Sequence, residues 1–311
     1  MLPLRYLVIR CARAAATVFG VATLVFLLVH LIPGDPIDAI LGDQASPEER
    51  AELRRYLKLD RPLLEQYLAF LGDVADGTFG HSFRRRSETV WSLIARVLPH
   101  TAVLALTSIA LAWMMAVPLG AIAAVRRGSF WDRAASVVSM LGLAIPTIWL
   151  GPLLVLLFSV WLRWLPLPGE DPTRPEALIL PAFTLAAALT AILSRQTRSA
   201  MIEVLGEQYV TAAQARGLPP TTILFRHALR NALLPVMTVG IAQLGALLSG
   251  AVIAEKIFER PGLGTLFLEA FFNRDIPVVQ GCVLVIAVFY VLVNLAADLL
   301  YGLVDPRVRI E

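Results

Sequence analysis

Residues 207–235 read EQYVTAAQARGLPPTTILFRHALRNALLP, a polar stretch of 29 residues set between long apolar runs. Its boundaries are written in helix chemistry. Gly206 precedes it, Glu207 falls in the first turn and Arg216 in the last, each sign matching the helix dipole. Gly217 is placed for a left-handed cap ahead of Pro219-Pro220. Tyr209, Ala212, Ala213 and Arg216 follow the i, i+3, i+4, i+7 spacing, which predicts one face carrying an aromatic, two small residues and a cation. Small residues let another backbone approach closely, and Tyr and Arg anchor interfaces. A helix of this length is about 15 Å long, enough to fill a surface groove. A second basic helix, Thr222–Asn231 with Arg226, His227 and Arg230, feeds the next apolar run. Periodicity leaves two readings: a docking element, or a solvated loop whose arginines only obey the positive-inside rule.

Outward from this stretch the chain is apolar. Hydrophobic residues make up 57% of its 311 positions and charged ones 16%, which predicts an all-α polytopic membrane protein, because a backbone in lipid must satisfy its own hydrogen bonds. Six spans are expected near Ala14–Ile32, Thr101–Val125, Ala134–Leu162, Ala177–Ser194, Ala232–Ala254 and Val278–Gly302. This divides the chain into a tail with span one (1–32), a helical insert (33–100) and a core of spans two to six (101–311), with the polar loop 199–231 inside it. A separate soluble enzyme domain has no room. Arg5, Arg10 and Arg13 before the first run resemble a signal peptide, but the run is too long and lacks a small-residue cleavage site, so an uncleaved anchor is expected. The formal charge of +3 gives no support to nucleic-acid binding, and Cys11 and Cys282 have neither pairing nor metal spacing.

Orientation follows from basic residues in short loops. One side collects Arg5, Arg10, Arg13, Arg126, Arg127, Arg133, Arg195, Arg198, Arg216, Arg226, Arg230, Arg307 and Arg309. The other holds Arg163, Arg174, Lys256, Arg260 and Arg274. Both termini are therefore expected in the cytoplasm and the 33–100 insert outside. Within the insert, Ser46-Pro47-Glu48-Glu49 is a capping-box start, Leu64, Tyr67, Leu68 and Leu71 mark a second amphipathic helix, and Val90, Leu93, Ile94 and Val97 a third. The insert is either a cap over the spans or a surface for an external partner.

Little in the spans looks catalytic. Asp298, a turn from the inner end of span six, suits a structural ion pair with an inner-side arginine. Gln243, amid Gly240, Gly245, Ser249 and Gly250, either hydrogen-bonds across helices or faces a solute path; Ser249 and Asn294 are the other polar candidates for such a path. Pro118, Pro146 and Pro152 can kink spans two and three. Lys58 and Lys256 precede Leu59 and Ile257, so no P-loop exists and any ATPase must be another polypeptide. No histidine precedes a glutamate, and no Gly-x-Ser-x-Gly elbow occurs. No catalytic residue or metal ligand is assigned.

Thr211-Ala212-Ala213, then Gly217, then Ala232-Leu233-Leu234-Pro235, resemble the cytoplasmic EAA loop of ABC importer permeases, in the version carried by dipeptide, oligopeptide and nickel permeases. Thr211 stands where the general pattern has glutamate, and Leu234-Pro235 comes later than in the shorter loop. Similar strings recur in order: Ile32-Pro33-Gly34-Asp35-Pro36, Leu59-Asp60-Arg61-Pro62, Gly80-His81-Ser82-Phe83, Arg260-Pro261-Gly262-Leu263-Gly264, Asn273 to Gln280, and Asp305-Pro306-Arg307-Val308-Arg309. The resemblance implies a subunit in a bacterial inner membrane that pairs with a homologous second permease. It also implies two cytoplasmic ATPase subunits using ATP and Mg, an external solute-binding protein, and no cofactor on this chain. Glu207, Tyr209, Thr211, Ala212, Ala213, Arg216 and Gly217 would then couple to an ATPase. The implied cargo is di- or oligopeptides, with nickel complexes or haem as alternatives. A self-sufficient secondary transporter would need intramembrane ion-coupling residues, of which only Asp298 stands, and an intramembrane enzyme lacks a nucleophile–base pair.

Overall fold

The computed structural model describes residues 4–31, 36–41 and 46–304. Among them there is no strand, only helices, turns and one isolated bridge between His81 and Thr89. The expected strings at 32–35 and 305–311 lie outside the described residues, as do the side chains of Ser249 and Asp298. The helices run α1 (Leu4–Leu31), α2 (Pro36–Leu41), α3 (Pro47–Tyr56), α4 (Leu63–Ala75), α5 (Val90–Val125), α6 (Phe130–Ala144) and α7 (Thr147–Leu154, continued by wider π turns over Val155–Trp161). They continue with α8 (Glu176–Leu205), α9 (Gln208–Ala215), α10 (Pro220–Thr222, continued by π turns over Ile223–Leu229), α11 (Arg230–Ala242), α12 (Leu244–Ile257), α13 (Leu263–Phe272) and α14 (Ile276–Val304).

Four of these carry apolar stretches long enough to cross a membrane alone: Val8–Leu27, Val90–Val125, Glu176–Leu205 and Ile276–Ala296. They correspond to expected spans one, two, four and six. The kink expected of span three, Ala134–Leu162, is found at Pro146 and is sharp: α6 and α7 meet at 103°. Proline explains the bend. Pro146 has no N–H, and its ring drives Ile145 out of the helical region to φ −85°, ψ 114°. Pro118, by contrast, sits inside an unbroken α5. The expected span Ala232–Ala254 is divided at Gln243 into α11 and α12, although Gln243 N–H still reaches Val239 O and its own carbonyl still receives Leu247 N–H, each at 3.0 Å.

The chain forms two compact units, Met1–Thr101 with Pro261–Glu311, and Ala102–Arg260. In the first, α1 runs against α14, and α13 packs on α14. Val90, Leu93 and Ile94 at the start of α5 are buried with Leu263, Ala270, Val278, Val279 and Cys282. The insert's third apolar stripe is thus the opening of the long second helix. The predicted capping box exists: Ser46 Oγ accepts from Glu49 N, and Glu49 Oε2 accepts from Ser46 N at 2.8 Å.

The second unit is built around α8, against which α6, α7, α11 and α12 all pack. Beside the larger Leu185, Leu189, Leu193 and Met201, this helix buries the small Ala182, Ala186, Ala191 and Ala200, and Thr184 and Thr197 donate to Leu180 O and Leu193 O, each at 2.7 Å. Neighbouring backbones therefore come very close. A Cβ on Gly120 would lie 2.5 Å from Ser194 O, and one on Gly142 2.9 Å from Ala187 O, so α5 and α6 require glycine there.

Candidate functional site

The polar stretch folds as α9, a tight turn, and a helix continuous from Pro220 into α11. Glu207 has the extended backbone of an N-cap, one position before the helix, and its side chain caps no N–H. At the other end Gly217 sits at φ 74°, with Gly217 N–H bonded to Gln214 O at 2.9 Å and Leu218 N–H to Ala213 O at 3.3 Å. That is the Schellman arrangement, and it needs a residue tolerant of left-handed backbone. Leu218 then packs on the cluster beneath.

The expected face of Tyr209, Ala212, Ala213 and Arg216 is corrected. Ala213 is 7% exposed and joins Val210 and Ile223 in a small core against Leu205 and Leu218, while Thr211, Ala212, Arg216 and Gly217 are exposed. The apolar Val210 outcompetes the simple spacing, because an eight-residue helix on a protein surface must bury its own apolar stripe. Tyr209 is exposed as a ring but tied at its tip: its hydroxyl accepts from Asn231 Nδ2 at 2.7 Å and donates to His227 O at 3.3 Å. The outward face is therefore Gln208, Thr211, Ala212 and Ala215 with Arg216. The inward face bonds α9 to the root of α11.

A second ionic feature lies on the same unit. Arg198 of α8 grips Asp132 of α6 through two parallel hydrogen bonds, Nε to Oδ1 at 2.7 Å and a terminal nitrogen to Oδ2 at 2.9 Å. Asp132 also accepts from Gly128 N at 2.9 Å and sits one turn after the N-cap Ser129. The Arg198 hydrogen bond, followed by that of Gly128, lowers the Asp132 carboxyl from its ordinary 3.8 to about 2. Sequence reasoning placed Arg198 only among orientation charges. The signal for its partner was the lone acid in the Arg126–Arg133 loop.

The other polar candidates are dispersed. Gln243 is half-buried at the α11–α12 break, and Asn294 of α14 donates to Tyr290 O of its own helix at 2.8 Å. In the first unit Asp275, 5% exposed, accepts from Ser82 Oγ, from Phe83 N at 3.0 Å and from Arg84 N at 3.5 Å. The Arg84 side chain bonds Asn273. This clasp joins Gly80–Phe83 to Asn273–Gln280, two strings read separately in the sequence. Among the described residues no group of acids, histidines and cysteines is disposed to hold a metal.

Several helices long and apolar enough to cross a membrane, with a capped polar element on one loop, define a multi-pass membrane protein. Residues 116–310 match the family described as binding-protein-dependent transport system inner membrane component, and residues 3–105 match its N-terminal companion. The chain belongs to this family. The di/tripeptide transport system permease protein DppB of Pseudomonas aeruginosa (strain UCBPP-PA14) is 42% identical over 94% of this chain and 95% of its own length. The oligopeptide transport system permease protein AppB of Bacillus subtilis (strain 168) is 39% identical over 98% and 99%. Among solved structures, a chain of the inward-facing MetNI methionine ABC transporter aligns with a TM-score of 0.57 at 19% identity, over 68% of this chain and 96% of that one. This last likeness speaks for the fold alone. As a permease component, the chain is a transport subunit and not an enzyme.

Proposed function

We propose that this chain forms half of the membrane path of an ATP-driven importer of di- or oligopeptides in a bacterial inner membrane. The observation that carries the cargo is near-end-to-end identity of 42% and 39% to a di/tripeptide and an oligopeptide permease. In this reading the chain has six spans and cytoplasmic termini, counting the bent α6–α7 pair and the divided α11–α12 pair as one span each, and the arginine distribution supports that orientation. A homologous permease completes the path. Two cytoplasmic ATPase subunits supply the energy, and an external binding protein delivers cargo to the 33–100 insert.

The coupling step follows from how α9 is held. Its outward residues Thr211, Ala212 and Arg216 meet an ATPase subunit within the loop 199–231. Its inward residues Val210 and Ala213 rest on Ile223, and Tyr209 is bonded to Asn231 and His227. A displacement of α9 is therefore transmitted to the root of α11, which packs along α8. Closure of the ATPase pair then tilts α11 and re-opens the path to the other side, the alternation expected of a two-state transporter. Gln243, Ser249 and Asn294 remain the proposed path residues.

The test is uptake of a labelled dipeptide by proteoliposomes. With the second permease, both ATPases and the binding protein present, accumulation requires ATP and is competed by unlabelled peptides but not by nickel complexes or haem. Uptake by this chain alone, driven by an ion gradient, would overturn the assignment. Competition by nickel or haem would overturn the cargo.

A further inference from the structure

The insert folds back on itself and leaves a cavity between its own helices and the start of α14. Gly77 (φ 73°) and Gly80 (φ 76°) turn the chain after α4, and Phe79 N–H bonds Asp73 O at 2.9 Å. Lacking a side chain, Gly80 lets the Asp73 carboxyl lie against it: a Cβ there would be 3.0 Å from Asp73 Oδ2. Asp275 accepts from Ser82 Oγ and Phe83 N–H, which ties the next residues to the root of α14. The space left between these segments measures about 620 Å³ and is lined from α1, the end of α3, α4, the 79–86 loop and α14. That is the size of a small-molecule site, roughly 300–1,000 Å³.

The fold leaves the polar groups of this lining without partners. Gln280 is 6% exposed and is the only amide or charged side chain between Ile276 and Tyr290, inside an apolar stretch long enough to cross a membrane. Among the described residues its amide has no hydrogen-bond partner, and it opens onto the cavity. A buried amide that bonds nothing is destabilising, so an apolar residue would serve the packing better. Lys58 N–H bonds Arg55 O and Leu59 N–H bonds Arg54 O, a Schellman end to α3, with Lys58 at φ 57° in the left-handed position that glycine ordinarily fills. Burial raises the Asp73 carboxyl from its ordinary 3.8; Lys58 and then His81 pull it down, and Asp76 adds to the rise, so these groups share one field. Among the described residues none of Lys58, Asp73 and Asp76 has a side-chain hydrogen bond or a salt bridge.

Together these groups match one kind of molecule. An amide side chain both donates and accepts, which is what a peptide group offers in return. Asp73 with Asp76 suits an ammonium and Lys58 a carboxylate, while Phe26, Phe70 and Phe79 supply apolar wall for side chains. A di- or tripeptide is at most about 7–11 Å end to end. We propose that this cavity is a receiving site on the insert for short zwitterionic peptides, with Gln280 bonding the backbone amide, Asp73 the terminal ammonium and Lys58 the terminal carboxylate. The inference rests on the peptide cargo proposed above and adds where the permease first holds it.

The test is binding of radiolabelled alanylphenylalanine to the assembled transporter, both permeases and ATPases in lipid nanodiscs, without binding protein or nucleotide. Saturable binding is expected, weakened about tenfold or more by Gln280→Leu, Asp73→Asn or Lys58→Met. The N-acetylated dipeptide should bind the wild type weakly and Asp73→Asn no worse, and the C-amidated dipeptide should stand in the same relation to Lys58→Met. Leucine is close to glutamine in size, so a thermal midpoint no lower than that of the wild type shows that Gln280→Leu has folded. Asp73 and Lys58 are exposed, so their variants report on the site whatever happens at position 280. No saturable binding to the wild type, or equal binding by all three variants, would overturn the site. ATP-driven peptide uptake by the complete system would then leave the cargo standing, whereas a complete system that takes up no peptide overturns the cargo and the site together.

Discussion

Asp132 and Arg198 are separated by 65 residues of chain and meet in a two-pronged ion pair. With the carboxyl lowered to about 2, its unfolded form binds a proton more readily than its folded form between about pH 4 and pH 2. The pair's contribution to stability is therefore complete above pH 4 and is lost as pH falls through 2. Asp132→Asn is expected to lower the thermal midpoint at pH 7 and to flatten the acid limb of a stability–pH curve measured in detergent. Identical midpoints at pH 7 would show the pair to be incidental. Gly217 has open space around it, yet its φ of 74° strains any side chain. Gly217→Ala should cost about 1–2 kcal/mol locally. Faster hydrogen exchange at residues 208–218 than in the wild type is the measurement.

For the element α9, the inward and outward alanines separate packing from coupling. Ala212 is exposed and Ala213 buried. Ala212→Glu should leave the melting temperature within a degree or two and sharply reduce peptide uptake relative to ATP hydrolysis. Ala213→Glu should unfold the small cluster with Val210 and Ile223, because it buries a charge without a partner. Normal uptake by Ala212→Glu, in a protein that still hydrolyses ATP, would detach α9 from coupling. The helical period, the glycine cap and the proline start of this element were all legible. Which alanine faced inward was not, since that depended on Leu205 and Ile223 arriving from either side.

At the scale of the whole molecule, the proposed docking of an external binding protein on the insert is tested at the 81–86 loop. Arg84 is held by Asn273, and Arg86 lies 5.1 Å over the Tyr56 ring, so Arg85 is the basic group of this loop that no such contact restrains. Reversing Arg85 and Arg86 to Glu together should abolish stimulation of ATPase activity by the binding protein while leaving basal hydrolysis intact. Unchanged stimulation would make the insert a cap rather than a docking platform.

The sequence by itself determined an all-helical membrane protein, the limits of its polar stretch, the missing P-loop and, through ordered strings, the family. These are local or compositional properties: an apolar run, a cap or a motif carries its signal within a few residues. Only the tertiary structure decided the 103° bend at Pro146, the division at Gln243, the burial of Ala213, the Asp132–Arg198 pair and the Ser82–Asp275 clasp. A proline permits a bend, but the packing of both arms on α8 selects it. A charge finds its partner only when the fold brings side chains distant in sequence within about 3 Å, the reach of a hydrogen bond.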